Sequence, residues 1–357
     1  MAKHVADRLL VIPSIKEQTM SNTMRQWRLP QFGRQHLQLA QVEIPTPGDD
    51  EILVKVAAAA LNYRDKLNIE DGSGGLQITP PLVPASDLSG TVAAVGKRVT
   101  RFSTGERVLG TFWADWIDGP WPGHALTLGG PLTGTLAEYV VLKQEWAVHA
   151  PATLDDVHAS TLPCAALSAW FALVEQGHLH AGQTVVIQGT GGVSLFGLQF
   201  AAAHGANVIV ISGDDDKLER AKALGATHAI NRRKTPNWDV AVRDITAGRG
   251  ADHVLEMVGG DNLLLSLRAL KQAGRISVIG TLGEAEIHSP SVPLFLGRPT
   301  IQGIGVGHRR ALEDMIRAVD HLGLTPVVDK VYALAELPAA LDHLERGPFG
   351  KLVLRMD

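Results

Sequence analysis

The stretch Val185-Val186-Ile187-Gln188-Gly189-Thr190-Gly191-Gly192-Val193-Ser194 constrains this chain more than any other. It sets a glycine-rich turn directly between a run that reads as a buried strand and one that reads as a helix from Val193 to His204. Glycines there let the backbone turn tightly and approach a pyrophosphate, whose charge is met by free N–H groups and the positive end of the following helix. The third glycine of the usual G-x-G-x-x-G spacing is Ser194, small enough for close helix–strand packing. The turn predicts a dinucleotide site, with Gly189, Thr190, Gly191, Gly192 and Val193 against the cofactor.

The flanking pattern supports a doubly wound α/β fold. Strands are expected at Val208 to Ile211, Val254 to Val258 and Arg275 to Ile279, alternating with helices at Lys217 to Leu224 and Asp261 to Lys271. Strands separated by helices imply a parallel sheet with right-handed crossovers. Before Pro151 the chain is mostly β, with strands expected at Glu51 to Leu61, Thr91 to Val95, Arg107 to Leu109 and Ala137 to Val141. A long apolar-faced helix capped by Asp155 and ending at Gly177 joins the two halves. After the alternating region come an edge strand at Thr300 to Val306, a helix at Arg309 to Leu322, a strand near Val327 to Tyr332, a helix at Leu337 to Leu344 and a final strand at Lys351 to Leu354. A length of 357 residues suits two domains.

Charge and cysteine usage exclude several function classes. The chain carries 33 Lys and Arg against 37 Asp and Glu, a formal net charge of −4, which gives no electrostatic case for nucleic acid. No apolar run reaches the ~18 residues of a membrane span. The single cysteine, Cys164, excludes an intrachain disulfide framework and a zinc ribbon, and suits a reducing, cytoplasmic setting. The fourteen histidines show no H-E-x-x-H or other metal-ligand spacing. At the amino end, Leu9-Leu10-Val11-Ile12 is short for a signal-peptide core, so residues 1–23 read as an extension before an ordered strand near Arg25 to Leu29.

The second strand of the dinucleotide site ends Val210-Ile211-Ser212-Gly213. An NAD site would usually place an acid here for the ribose 2′-hydroxyl, whereas Ser212 leaves room for a 2′-phosphate. Lys217 and Arg232 are candidates to contact that phosphate, with Asp214, Asp215 and Asp216 opposing it unless they face solvent. NADP(H) is the expected cofactor, with NAD(H) as the alternative.

With these residues in place, the chain resembles the medium-chain dehydrogenase/reductase superfamily, especially its zinc-free, quinone-oxidoreductase-like members. The resemblance spans about Met24 to Met356. It rests on Asn62-Tyr63-Arg64-Asp65, Ser86-Asp87-Leu88-Ser89-Gly90, Gly105-Glu106-Arg107-Val108, Thr161-Leu162-Pro163-Cys164, the glycine turn and Gly350-Lys351. It implies a GroES-like catalytic β domain (24–150 and 307–357) split around a Rossmann domain (151–306), with the active site in the cleft between them. It also implies a small-molecule substrate, Lys351 on the cofactor side, and a homodimer through the Thr300 to Val306 edge strand.

Alcohol dehydrogenases of the superfamily hold catalytic zinc with a Cys-His-Cys set, and those positions fall here on Asn62, Ser86 and Cys164. Amide and hydroxyl are poor zinc ligands beside thiolate and imidazole, so no zinc is expected. The cysteine-rich structural-zinc lobe is replaced by a segment, Phe112 to Gly130, that holds three tryptophans and reads equally as a substrate lid or as a packed surface loop or dimer contact. Without a Lewis acid, reduction of a conjugated electrophile, a quinone or enone, is favoured over oxidation of a simple alcohol. Asn62, Tyr63, Arg64 and Ser86 are the candidates to hold substrate oxygen or cofactor ribose. A metal-free alcohol dehydrogenase or carbonyl reductase is the alternative enzyme. A non-catalytic NADPH-binding sensor or structural protein is the alternative outside enzymes. Enoyl thioester reductases of the superfamily carry a catalytic Tyr about where this chain reads Ile69-Glu70-Asp71-Gly72-Ser73, which disfavours acyl-thioester reduction.

Overall fold

The computed structural model describes residues 22–283, 286 and 289–357. Most of the expected extension, residues 1–21, lies outside the described residues, and its last residue already opens the strand Thr23–Arg28, paired antiparallel with Gln38–Glu43.

Glu51–Ala60 organises the first sheet because its apolar run can be covered on both faces. It pairs along its length with Asp87–Val95, at its first half with Tyr139–Lys143, and at its far end with Lys351–Arg355. The chain's last strand is thus built into a sheet started some 300 residues earlier, giving a seven-stranded sheet that also takes in Arg107–Gly110, Ala147–His149 and Val328–Ala333. Its core includes Ile52, Val54, Leu88, Val108, Leu142, Leu352 and Leu354, all fully buried. The Glu51–Ala60 strand delivers Asn62 at its end, and the Lys351–Arg355 strand delivers Lys351 beside it.

The second sheet is six-stranded and parallel throughout, in the order His228–Asn231, Asn207–Ser212, Thr184–Gln188, Ala251–Glu256, Leu270–Val278, Thr300–Gly303. That is the 3-2-1-4-5-6 order of a Rossmann fold, and the ligand crevice lies at the carboxyl ends of the first and fourth strands, where the order reverses. Val185, Val186 and Ile187 are fully buried, as a central strand covered on both faces requires. Among the described residues, no helix is long and apolar enough to cross a membrane.

The expected single helix from Asp155 to Gly177 is not one helix. Asp155 caps as anticipated, its carboxylate accepting from the His158 N–H at 2.9 Å, but Asp156–Ala159 is only one turn. Thr161 follows, and Pro163, which has no N–H to donate, sits in the first turn of a wider-wound stretch, Leu162–Ala166. One α turn, Leu167–Trp170, precedes a second wide stretch, Phe171–Glu175. Several elements escape the sequence pattern, among them the helices Tyr63–Glu70, Trp238–Ile245 and Ser291–Gly297 and the strands Gln38–Glu43, Ala147–His149 and His228–Asn231. The edge strand also stops at Gly303, three residues short of Val306, although the Ile304 N–H still reaches the Val278 carbonyl at 2.9 Å.

Candidate active site

The glycine turn keeps an open face. Gly189 sits at φ +80°, where a side chain would be strained, and a Cβ on Gly191 would meet no atom within 4 Å. Gly192 opens the twelve-residue helix Gly192–Ala203, and Ser194 donates to the Gln188 carbonyl at 2.7 Å, closing the turn onto the strand before it. Free helix-terminal N–H groups beside empty space fit a pyrophosphate. Thr190 is bridged from the other domain, its carbonyl accepting from the Gly350 N–H at 3.0 Å, and Gly191 pairs with Gly350.

Below this turn lies a buried polar network that the sequence pattern did not single out. Glu256, fully buried at the end of its strand, accepts from Gln188 Nε2 (3.0 Å), Asn262 Nδ2 (2.9 Å), Ser266 Oγ (2.5 Å) and the Val258 and Gly259 N–H groups (2.9 and 3.1 Å). It ties the strand leading into the glycine turn to the loop on the other side of the crevice. An acid closing a buried strand just before Gly259-Gly260 was the available signal.

At the second strand, Ser212 is buried and its carbonyl accepts from the Arg232 N–H at 2.9 Å, while the Arg232 side chain is exposed. The Lys217 ammonium donates to the Gly347 carbonyl at 2.5 Å. A third cation lies closer: the Arg233 side chain lies over Gly213, where a Cβ would come within 2.9 Å of its Nε. Two of the three acids here are occupied. Asp214 caps the Asp215–Ala223 helix by accepting from the Lys217 N–H, and Asp215 pairs with Lys234 at 2.7 Å and Asn231 at 2.7 Å.

In the cleft, the structure brings together Asn62, Ser86, Asp87, Cys164 and Lys351. Asn62 precedes the Tyr63–Glu70 helix, its N–H donating to Asp65 Oδ2 at 2.8 Å. Asn62 Oδ1 accepts from Lys351 Nζ at 2.7 Å, and its Nδ2 lies 3.5 Å from Ser86 Oγ. Ser86 Oγ donates to Asp87 Oδ1 at 2.8 Å, and the Cys164 N–H donates to Asp87 Oδ2 at 3.2 Å. That N–H is free because the first turn of a helix leaves its amides unpaired. Burial pushes the Asp87 carboxyl above its ordinary range against the pull of Lys351, Asn62 and Ser86, and burial lifts Asp65 to about 6. Burial, reinforced by Asp87, pushes the Cys164 thiol up, so it is no nucleophile at neutral pH.

Tyr63 and Arg64 stand apart from this cluster. Tyr63 is 42% exposed, with the Lys66 ammonium 5.5 Å from its ring centroid. Arg64 turns away to donate to the Leu128 carbonyl (3.0 Å), Thr127 Oγ1 (3.0 Å) and the Gly130 carbonyl (3.3 Å). The tryptophans of the same segment pack on one another: Trp121 meets Trp113 and Trp116 edge-on at 4.4 and 5.2 Å, and Trp116 packs on Phe171 and His308. Trp113 Nε1 donates to the Gly305 carbonyl at 2.6 Å. These contacts favour the packed loop over the lid.

An amide, a hydroxyl and a protonated thiol beside an ammonium do not fit a tetrahedral zinc site, which needs anionic or imidazole donors. Among the described residues, no three His, Cys, Asp or Glu side chains gather as a metal-binding group.

Residues 48–152 match the alcohol dehydrogenase GroES-like domain and residues 192–321 the zinc-binding dehydrogenase domain. The chain is 39% identical over 338 residues to a zinc-type alcohol dehydrogenase-like protein of Schizosaccharomyces pombe, covering 91% of this chain and 96% of the relative. It is 28% identical over 324 residues to a quinone oxidoreductase of Sus scrofa, covering 88% and 92%. A solved structure from Sinorhizobium meliloti 1021, described as a candidate alcohol dehydrogenase, superposes with a TM-score of 0.90 at 54% identity, covering 95% of this chain and 100% of that one. With its GroES-like sheet, its Rossmann sheet and these relatives, the chain belongs to the medium-chain dehydrogenase/reductase superfamily and is an oxidoreductase of the alcohol dehydrogenase and quinone oxidoreductase type.

Proposed function

We propose that this oxidoreductase works without zinc, prefers NADPH, and reduces a quinone or another α,β-unsaturated carbonyl. The observation that carries the reading is the donor set at the family's metal position: Asn62, Ser86 and Cys164, with Lys351 hydrogen-bonded into it at 2.7 Å. Gly189, Thr190, Gly191, Gly192 and Val193 would hold the pyrophosphate, and the bound nicotinamide would supply the hydride. The remaining work falls to the protein: it orients the acceptor, excludes water and donates hydrogen bonds to the oxygen on which charge develops. A conjugated acceptor spreads that charge over several atoms, so it asks less of the neutral Asn62 and Ser86 donors than an alkoxide would.

The preference for NADPH is supported by Ser212 in place of an acid and by Arg233 over Gly213; of the cations expected there, Lys217 donates to the Gly347 carbonyl and the Arg232 side chain is exposed. The Asp214 and Asp215 carboxylates, occupied locally, are turned to capping and pairing rather than to a ribose hydroxyl.

A homodimer through the edge strand belongs to the same reading. Among the described residues Thr300–Gly303 is paired on one side only, and beside it Phe295 and Leu296 are each 62% exposed and Ile301 is 40% exposed, a combination that a second copy would cover.

A panel of quinones, enones, aldehydes and alcohols, followed by NADPH and NADH consumption with and without a chelator, tests the function. The expected outcome is turnover of quinones or enones, faster with NADPH and indifferent to the chelator. Loss of activity on chelation refutes the zinc-free reading, equal use of both cofactors refutes the phosphate reading, and tight NADPH binding without any turnover favours a sensor. Arg233→Ala is expected to raise KM for NADPH at least tenfold and leave KM for NADH unchanged.

A further inference from the structure

We propose that Lys351 supplies, through Asn62, the positive charge that stabilises the substrate oxygen, the task a metal ion performs in the zinc-dependent branch of the family. The proposal rests on the hydride-transfer reading above and adds a residue whose ammonium works on the substrate rather than on the cofactor.

Lys351 is 3% exposed, and its Nζ donates to the Leu61 carbonyl at 2.5 Å and to Asn62 Oδ1 at 2.7 Å. Among the described residues it makes no ion pair within 4 Å. Its hydrogen bonds go to neutral oxygens, and a buried ammonium without a carboxylate in contact is expensive. Its charge reaches the buried Asp87 and Asp65 carboxyls and the Cys164 thiol at longer range. Such a cation, at the centre of the cluster that replaces the metal ligands, serves a purpose other than pairing.

Its geometry shows what that purpose is. A lysine has three N–H donors, and one of them fixes the Asn62 carbonyl oxygen. Drawing electron density toward Oδ1 strengthens the Nδ2 donors at the other end of the same amide, as hydrogen bonds in series do. Asn62 is held from two further directions, by Asp65 at its backbone N–H and by Ser86, whose 3.5 Å contact with Nδ2 is long enough to yield to a better acceptor. The lysine stem is equally fixed. A Cβ on Gly192 would lie 2.5 Å from Lys351 Cδ, so the stem crosses the phosphate turn while the head reaches the reaction site. Cofactor turn and substrate amide are thereby set in register by one side chain.

In the reduction, the bound nicotinamide would supply a hydride to the conjugated carbon; the C=C π pair shifts toward the carbonyl carbon and the carbonyl π pair moves onto oxygen, giving an enolate. The Asn62 N–H holds that oxyanion, with the Lys351 charge behind it. Water admitted after hydride transfer supplies the proton that completes the product, and Lys351 is not the proton donor. Lys351 is therefore a positioning and polarising residue, and Asn62 is the group that touches substrate.

The test uses full-length Lys351→Met, Lys351→Arg, Asn62→Ala and the double variant Lys351→Met/Asn62→Ala. NADPH dissociation constants from fluorescence titration are read beside kcat on whichever acceptor the wild type reduces. The expected result is a fall in kcat of about 100-fold for Lys351→Met, the size seen when one oxyanion donor is lost, with the NADPH dissociation constant within about twofold. Partial recovery in Lys351→Arg and no further loss in the double variant are also expected, because the two residues act as one unit. A weakened NADPH affinity with kcat intact overturns the proposal and makes Lys351 a cofactor ligand; so does an additive double variant. Should Lys351→Met fail to fold, Asn62→Ala and Lys351→Arg decide, since unchanged kcat in both overturns the proposal. If the wild type reduces nothing on the panel, the functional reading falls and the inference with it; turnover that Lys351→Met leaves unchanged overturns the inference alone.

Discussion

Gly191 separates folding from binding more cleanly than any other residue of the turn. Its φ of −79° is ordinary and a Cβ there would meet nothing, so Gly191→Ala is expected to leave the melting temperature within about 1 °C while weakening NADPH binding at least tenfold, read by calorimetry. The added methyl would occupy the space the pyrophosphate needs. Gly192→Ala behaves differently, because its methyl would strike the Lys351 stem. His253 gives a pH signature unconnected with the site. Burial lowers its pKa from 6.5 to about 4, and its Nδ1 has no hydrogen-bond partner among the described residues. The folded state resists protonation that the unfolded chain accepts, so its contribution is fully present above pH 6.5 and is lost as pH falls through 4. That amounts to about 3 kcal/mol at most. Urea melts of His253→Gln are expected to show a shallower loss of stability than wild type between pH 6.5 and 4.

At the scale of elements, the linker and the helix Tyr63–Glu70 place the site, and neither was fully legible. The turn between Asp156–Ala159 and the wide stretch at Leu162 arises because Pro163 has no amide to donate; the segment's apolar periodicity shows only a buried face. The helix Tyr63–Glu70 has low amphipathicity, since it buries Asp65 and Asn68 as well as Ile69, and hydrophobic spacing has nothing to mark there. The Asn62/Asp65 capping spacing was its only trace. From that helix Arg64 clamps the Thr127–Gly130 segment with three hydrogen bonds, one of them to Thr127 Oγ1. Arg64→Met keeps the apolar stem and removes the donors, and is expected to destabilise the fold by about 2 kcal/mol in urea titration. A stability change without a change in kcat would confirm Arg64 as a clamp rather than a substrate contact. Conversely, intact stability with lost turnover would return it to the catalytic set.

For the whole molecule, the proposed dimer rests on one sheet edge. Charged residues at Phe295 and Ile301, as Phe295→Asp and Ile301→Lys, are expected to turn a dimeric elution into a monomeric one, measured by light scattering; unchanged mass would place any interface elsewhere. The sequence by itself determined the parallel sheet, the phosphate turn and the missing zinc ligands. The sheet and the turn are written in residues adjacent along the chain, where the spacing of glycines and apolar side chains leaves few alternatives; the metal positions, at Asn62, Ser86 and Cys164, came from the resemblance to the family. Only the tertiary structure decided which cation lies where. Lys351 reaches Asn62 across 289 positions because the last strand pairs with the Glu51–Ala60 strand, and Arg233 rather than its neighbour lies over Gly213. A charged side chain's partner depends on where long stems end in space, and no local pattern records that.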